Sequence, residues 1–196
     1  MKGVILRAGW FLLAMVALML GNSGCCGVIT CVPPPAAPCL IEMLLIDESA
    51  VPGEWKEQGT RSARGAPVQF GVERIGTVFS TTIYGGGGQE VYRAWDKHEA
   101  SRGYHDFMSY FSVREEETEW QIPPEITYHS QVADQSRLGC STHLPSGVQR
   151  CQFIAQYEAY IVRFDTDMSE VMTYAGFERI LWDIDRRMAE CLERSK

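Results

Sequence analysis

Two cysteines and two histidines in the second half of the chain are of the residue types that bind zinc. Cys140 and His143 stand three positions apart, Cys151 follows, and His129 lies upstream. The second closely spaced pair that identifies a structural zinc site is missing. A turn-like stretch, Leu144-Pro145-Ser146-Gly147, separates the two cysteines. The spacing therefore favours a disulfide between Cys140 and Cys151 across a hairpin over a metal site.

The other histidines do not predict a catalytic centre. His98 and His105 lie seven residues apart on one predicted helix, and Asp106 adjoins the second. A histidine oriented by a carboxylate still needs a nucleophile, and no serine stands in a Gly-x-Ser-x-Gly setting. We therefore expect these histidines to lie on the surface.

Two pairs of aspartates, Asp165 with Asp167 and Asp183 with Asp185, suggest calcium binding or carboxylate catalysis. An EF-hand loop needs more acids and a glycine at fixed places, and the pattern is absent here. A catalytic pair cannot be chosen among 25 acidic residues without geometry. The sequence therefore predicts no catalytic residue, no metal and no cofactor.

A run of four glycines, Gly85–Gly88, resembles a phosphate-binding loop only in composition. Such a loop continues with Gly-Lys-Ser/Thr into a helix, whereas Gln89 and Glu90 follow here and open a strand-like run. The run is interpreted as a flexible hairpin tip. The alternative is a loop whose bare backbone contacts a ligand.

The N-terminus has the features of an export signal. Lys2 and Arg7 make it positively charged, and the thirteen residues from Ala8 to Leu20 carry no charge. That length suits the core of a signal peptide and is shorter than the roughly 20 apolar residues of a membrane-spanning helix. The mature protein is therefore expected outside the cytoplasm, where disulfides form.

Small residues then precede a cysteine, in the order Ser23, Gly24 and Cys25. This arrangement resembles bacterial lipoprotein precursors, whose cysteine is lipidated and becomes the new N-terminus. The resemblance implies a signal peptide over 1–24, a lipid on Cys25 and a protein held at the membrane of the cell envelope on its extracytoplasmic side. Asn22 stands where that family usually has an apolar residue, so ordinary cleavage and an uncleaved short anchor stay open.

The net charge indicates which classes of partner to expect, and the cysteine count leaves several disulfide pairings open. Removing Lys2 and Arg7 lowers the basic residues from 18 to 16 against 25 acidic ones, a formal charge of −9. The remaining basic residues form no stripe for phosphates, so nucleic acid is not expected as a partner. Besides Cys25, Cys140 and Cys151, four cysteines have no assigned pairing: Cys26, Cys31, Cys39 and Cys191.

The rest of the chain predicts a proline-rich spacer over 25–39 and one α+β domain over 40–196. The domain has an antiparallel sheet of about four strands with helices packed on one face, in the order α-β-β-α-β-β-α. Asp96 with Glu99 begins the middle helix, and Thr173 caps the last. The predicted elements are a helix at 40–46, strands at 77–83 and 90–95, the middle helix, strands at 126–132 and 151–164, and a helix over 177–192.

Together these patterns favour a non-enzymatic envelope lipoprotein whose small domain binds an unidentified envelope protein or ligand. The alternatives are a hydrolase acting on envelope material, or an accessory or sensor subunit. Aromatic side chains on the open face of the sheet are expected to contribute to a binding groove. An enzyme would instead show a pocket in which several titratable groups converge.

Overall fold

The computed structural model describes residues 37–64, 71–81, 85–112 and 114–194, with the backbone alone at 61–64. The predicted signal peptide and the predicted lipidation site at Cys25 lie outside these residues. So do Cys26, Cys31 and nearly all of the predicted spacer.

The described chain forms one six-stranded antiparallel sheet in the order β1-β2-β3-β6-β5-β4. Two α-helices and two short 3₁₀ turns accompany it. The strands are β1 Lys56–Arg64, β2 Glu73–Ser80, β3 Gly86–Arg93, β4 Gln135–Thr142, β5 Gln149–Tyr157 and β6 Tyr160–Asp167. The helices are α1 Lys97–Phe107 and α2 Tyr174–Glu193, and the 3₁₀ turns are Ile41–Leu44 and Met108–Phe111.

The prediction of about four strands and three helices packed on one face is wrong. The sheet has six strands, and the two helices pack on opposite faces of it. Strand β1 lies between the predicted first helix and the first predicted strand, where no strand was expected, and β4 was not predicted. Both are outer strands of the sheet with mainly polar residues, so they lack the apolar alternation that identifies a half-buried strand.

The strand predicted over 151–164 is in fact two strands, β5 and β6, joined by Glu158 and Ala159. Glu158 has a φ of +50°, a conformation that usually requires Gly or Asn. The turn is supported from outside, because Asp134 Oδ2 accepts a hydrogen bond from the Glu158 amide at 2.7 Å. Lys97 forms ion pairs with both acids. Because residues distant in the sequence hold the turn, the turn residues themselves do not indicate it.

The segment predicted as a first helix over 40–46 forms only the 3₁₀ turn Ile41–Leu44. Ile41 and Leu44 are buried against the sheet. The buried Gln89 of β3 fixes the segment, since its amide accepts from Ile46 N at 2.7 Å and donates to Leu44 O at 3.0 Å. Tertiary contacts rather than helical propensity set this conformation.

The segment predicted as a strand over 126–132 forms no strand and pairs with none. Two carboxylates of α2 hold it instead. Glu178 Oε1 accepts from the amides of Thr127 at 2.5 Å and Tyr128 at 2.6 Å. Asp185 Oδ1 accepts from Ser130 Oγ at 2.9 Å. The segment therefore covers the side of α2 rather than extending the sheet.

The face of the sheet beneath α2 is the main core. Every second residue of the central strands points toward α2, and these side chains are fully buried: Ile75, Phe79, Val91, Phe153, Val162 and Phe164. The helix contributes the apolar stripe expected from its sequence: Phe177, Ile180, Leu181, Ile184, Met188 and Cys191. Thr173 caps α2, accepting from Gly176 N at 3.2 Å.

The opposite face, which we call the α1 face, is covered only in part. Asp96 begins α1 by accepting from Glu99 N at 2.8 Å, and Glu99 accepts from Trp95 N at 2.7 Å. The helix and the 3₁₀ turn after it form a second cluster with β3, β5 and β6: Tyr92, Tyr104, Phe107, Phe111, Ile154 and Ile161. Beyond this cluster the α1 face opens into a cavity.

The described chain contains two disulfides, one across a hairpin and one between its two ends. The predicted partners Cys140 and Cys151 are opposite each other in β4 and β5 and are bonded, with a sequence separation of 11. Cys39 bonds to Cys191 across a separation of 152 and ties the first 3₁₀ turn to the end of α2.

Replacing Ile184 by aspartate tests the packing of α2. Ile184→Asp buries a carboxylate in an apolar cluster and should lower the free energy of unfolding by several kcal/mol. The matched control is Arg179→Asp on the exposed side of the same helix, which should change it by less than about 0.5 kcal/mol. Thermal and denaturant unfolding of both variants would measure this, and equal stabilities would contradict the packing.

The two disulfides should contribute unequally. On the chain-entropy account, the long loop closed by Cys39–Cys191 contributes about 5 kcal/mol and the short loop closed by Cys140–Cys151 about 3 kcal/mol. Denaturant unfolding of the two double serine variants would compare them. A larger loss from removing the short loop would contradict loop closure as the source of the difference.

Candidate functional site

A broad trough occupies the part of the α1 face that the helix leaves uncovered. Its volume is about 780 Å³, and β1, β2, β3, β5 and β6 contribute its lining. In the register of β2 and β3, Gly76 lies opposite Glu90, and Val78 lies opposite Gly88. Val78 is 53% exposed, which is unusual for a valine near the middle of a strand. The strand faces here are therefore open to a ligand.

Glycines form much of the floor. The prediction of a flexible hairpin tip over Gly85–Gly88 is wrong, because Gly86, Gly87 and Gly88 belong to β3. A Cβ at Gly86 would lie 2.8 Å from the carbonyl oxygen of Phe79, and one at Gly87 would lie 2.8 Å from that of Asp165. The neighbouring strands approach too closely for side chains there. Only Gly85, with a φ of +78°, precedes the strand as a turn residue.

A network of charged side chains lies along the trough, centred on Glu90. Its carboxylate accepts from Arg74, from Tyr92 Oη at 2.9 Å and from Arg163 Nη1 at 3.1 Å. Arg163 also donates from Nη2 to Asp165 Oδ1 at 2.9 Å. One guanidinium thus joins two carboxylates on adjacent strands, a geometry suited to its planar set of donors.

Aromatic rings support the two arginines. The guanidinium carbon of Arg163 lies 4.6 Å from the ring centre of Tyr110, and that of Arg74 lies 5.5 Å from the ring centre of Tyr92. These cation–π distances fall within the range that stabilises the charged group. Arg163 Nε is buried and has no hydrogen-bond partner. The contact with the Tyr110 ring is therefore the main interaction that offsets the burial of this part of the guanidinium. These two tyrosines therefore position charges and do not line the trough.

A separate ion pair lies at the end of the trough. Arg150 Nε donates to Asp167 Oδ1 at 3.1 Å, and Arg150 is the more exposed of the two. Asp165 and Asp167, one of the aspartate pairs considered from the sequence, both lie in β6 and line the trough. Of the other predicted pair, Asp183 binds Arg186 and Arg187 on the surface of α2, and Asp185 is buried.

The environments of the two central carboxylates move their pKa values in opposite directions. Burial alone would raise the pKa of Glu90, but hydrogen bonding and attraction from Arg74, with Tyr92 and Arg163, hold it below the usual 4.5. Burial raises the pKa of Asp165 above its usual 3.8, and attraction from Arg163 offsets only part of that effect. Burial also raises the pKa of Tyr92, which keeps its hydroxyl protonated as a donor to Glu90.

The zinc-type residues considered from the sequence do not converge. Cys140 and Cys151 are bonded to each other, and His143 lies on the surface between Ser146 and Glu116. Within the part of the chain that the structure describes, no three His, Cys, Asp or Glu side chains are grouped to hold a metal ion. His98, His105 and His129 are exposed and lie outside the trough lining.

The sequence did not predict a site at the charged residues that line the trough: Arg74, Glu90, Arg150 and Arg163. A signal is present in β6, where Arg163, Asp165 and Asp167 alternate with buried residues. That alternation indicates one polar face on a strand whose other face is apolar. The signal is hidden when 151–164 is interpreted as a single strand.

Comparison with known proteins identifies a similar fold. No protein-family model matches the chain, and a search of curated proteins finds no match. The structure is similar to the extracellular domain of PknH from Mycobacterium tuberculosis, with a TM-score of 0.55 at 10% sequence identity. The likeness covers 80% of this chain and 98% of that one, so the two share a fold. Among the described helices, none combines the length and apolar character needed to cross a membrane.

The opposite pKa shifts predict opposite effects on stability. Ionised Glu90 is stabilised by folding, so its contribution is present above pH 4.5 and is lost as the pH falls. Ionised Asp165 is disfavoured by folding, so its favourable contribution exists below pH 3.8 and is lost as the pH rises.

Denaturant unfolding of Glu90→Gln and Asp165→Asn across this pH range would test the assignment. The loss caused by Glu90→Gln should shrink toward low pH. Asp165→Asn should be best tolerated at neutral pH, because it removes a carboxylate that folding disfavours there. If both variants change with pH in the same direction, the electrostatic description of the trough is wrong.

Proposed function

We propose that this chain is exported and acts outside the cytoplasm as a non-enzymatic, sensor-like binding domain, held at the membrane by a lipid on Cys25. The N-terminal sequence supports export, and two disulfides in the described chain suit an oxidising compartment. The fold that it shares with an extracellular domain agrees with this location.

The observation that carries the proposal is the uncovered trough. A sheet face in a domain of this size is normally covered or made uniformly polar, yet this one has a floor of glycines around an exposed valine. Ion pairs along its side hold charged groups in fixed positions before any ligand arrives. Preformed polar groups around an open cavity favour ligand binding because little conformational freedom is lost on association.

The same geometry favours binding over hydrolysis. Glu90 and Asp165 are the carboxylates of the trough lining with shifted pKa values, but Arg163 lies between them and donates to both. A carboxylate bonded in this way is poorly suited to exchange a proton with a substrate. The envelope hydrolase considered from the sequence is therefore the weaker proposal.

Processing of the N-terminus tests the anchoring proposal. The mature chain purified from membranes should begin at Cys25 and carry the added mass of a lipid. Cys25→Ala should abolish both the lipid and membrane association, whereas the matched variant Cys26→Ala should retain them. A free, unmodified N-terminus at any other residue would rule out the lipid anchor.

Fragment binding tests the trough while its ligand is unidentified. In NMR spectra of the mature chain, diverse small polar fragments should shift amide signals of β2, β3 and β6 in preference to other surfaces. Val78→Trp should fill the trough and abolish these shifts. Val148→Trp is the matched control, because Val148 is also exposed but lies outside the trough lining. Fragments that cluster elsewhere would contradict the proposed binding site.

A further inference from the structure

The charges that line the trough cancel. Three arginines and three acids contribute to its lining among the side chains that the structure describes: Arg74, Arg150, Arg163, Glu90, Asp165 and Asp167. Every one of them is in an ion pair with another member of the set. The formal charge of this set is zero, so neither an anion nor a cation gains a net attraction from these six side chains.

A charged ligand would also have to break existing pairs. Binding an anion at Arg163 would compete with Glu90 and Asp165, whose side chains are only 22% and 24% exposed. The displaced carboxylate would remain partly buried without its partner, which is costly. The network therefore disfavours strongly charged ligands of either sign.

Hydroxyl groups avoid this cost, because a hydroxyl both donates and accepts hydrogen bonds. An ionised carboxylate has about four lone-pair positions, and Asp165 and Asp167 each receive a guanidinium at Oδ1. Arg150 uses Nε for its pair with Asp167, while its side chain is 56% exposed. Ligand hydroxyls can therefore bind at the edges of the network and leave the ion pairs intact.

The floor suits a flat, weakly apolar surface. The side chain of Val78 stands next to Gly88, and a Cβ added at Gly88 would lie 3.8 Å from Val78 Cγ2. With glycine at 76, 86 and 88, a broad ligand can approach the backbone on both sides of this valine. The C–H face of a sugar ring has this combination of a flat apolar side and a rim of hydroxyls.

Other ligand classes fit less well. An extended peptide usually binds to a strand edge, but the trough lies on the face of the sheet, and the strands of its floor, β2 and β3, are interior strands whose main-chain groups are paired with their neighbours. A lipid tail needs a continuous apolar lining, and Val78 is the exposed large apolar side chain in the described lining.

We propose that the trough binds an uncharged oligosaccharide, with a sugar ring lying over Val78 and its hydroxyls bonded to the ion pairs of β6. This inference rests on the proposed binding function and specifies its ligand. The volume of about 780 Å³ falls within the usual range for ligand sites and allows more than one sugar ring.

Calorimetric titration of the full mature chain, in a detergent without a sugar head group, tests this class. The neutral probes are maltotetraose and the β-1,4-linked tetramer of N-acetylglucosamine. The charged probes are the same glucosamine tetramer without its acetyl groups, which is cationic, and tetragalacturonate, which is anionic. At least one neutral tetramer should bind at least tenfold more tightly than either charged one. Its Kd should change less than twofold between low and high salt, because no ion is displaced.

Two tryptophan variants test whether the neutral tetramer binds in the trough. Val78→Trp should weaken binding of the neutral tetramer at least tenfold, and Val148→Trp should leave it unchanged. Tighter binding of a charged tetramer would overturn the uncharged class while leaving a binding trough. Failure of every tetramer to bind would overturn the oligosaccharide inference, and fragment mapping would still decide the proposed function separately. Binding that survives Val78→Trp would also overturn the inference.

Discussion

The unequal covering of the two sheet faces is the constraint on which the rest of this structure depends. Hairpin β5–β6 is buried on both sides, with Phe153 and Val162 beneath α2 and Ile154 and Ile161 beneath α1. The long helix α2 and the segments beside it cover one face of the central strands. Helix α1 has only 11 residues and covers part of the other. The strands beyond it must therefore present a surface that is stable in water.

Glycine and paired charges meet that requirement. An apolar side chain at each exposed position would create an adhesive patch, whereas unpaired charges would repel one another across adjacent strands. The α1 face instead alternates ion-paired residues with glycines, and the cross-strand pairs join β3 to β6 at the centre of the sheet. The same arrangement that stabilises an uncovered sheet also leaves a cavity with fixed donors and acceptors. The glycines and paired charges thus account both for the stability of the uncovered face and for the proposed binding function.

The sequence predicted the elements whose signals are local. The stripe of α2, both helix caps and the Cys140–Cys151 spacing depend on residues within a few turns or across one hairpin. The β5–β6 turn could not be predicted, since Asp134 and Lys97 hold Glu158 from distant parts of the chain. The Cys39–Cys191 disulfide likewise depends on the final packing of α2 against the first 3₁₀ turn.

The candidate site was harder to predict because it has no motif. Glu90 and Arg163 are 73 residues apart in the sequence and meet only when β3 pairs with β6. The glycine run is visible in the sequence, but its meaning depends on the strand register that places Gly88 beside Val78 and Asp165. The local sequence therefore shows that the glycine run is unusual, but the strand order and register determine that it forms part of a site.

A crystal structure of the mature chain grown with the neutral tetramer of N-acetylglucosamine or with maltotetraose would test the central claim most directly. We predict a sugar ring over Val78, with hydroxyls within hydrogen-bond distance of Asp165 or Asp167 and the Glu90–Arg163 pair unbroken. Ligand bound at another surface, with the trough empty, would contradict the account. So would a ligand that enters the trough by displacing Arg163 from Glu90.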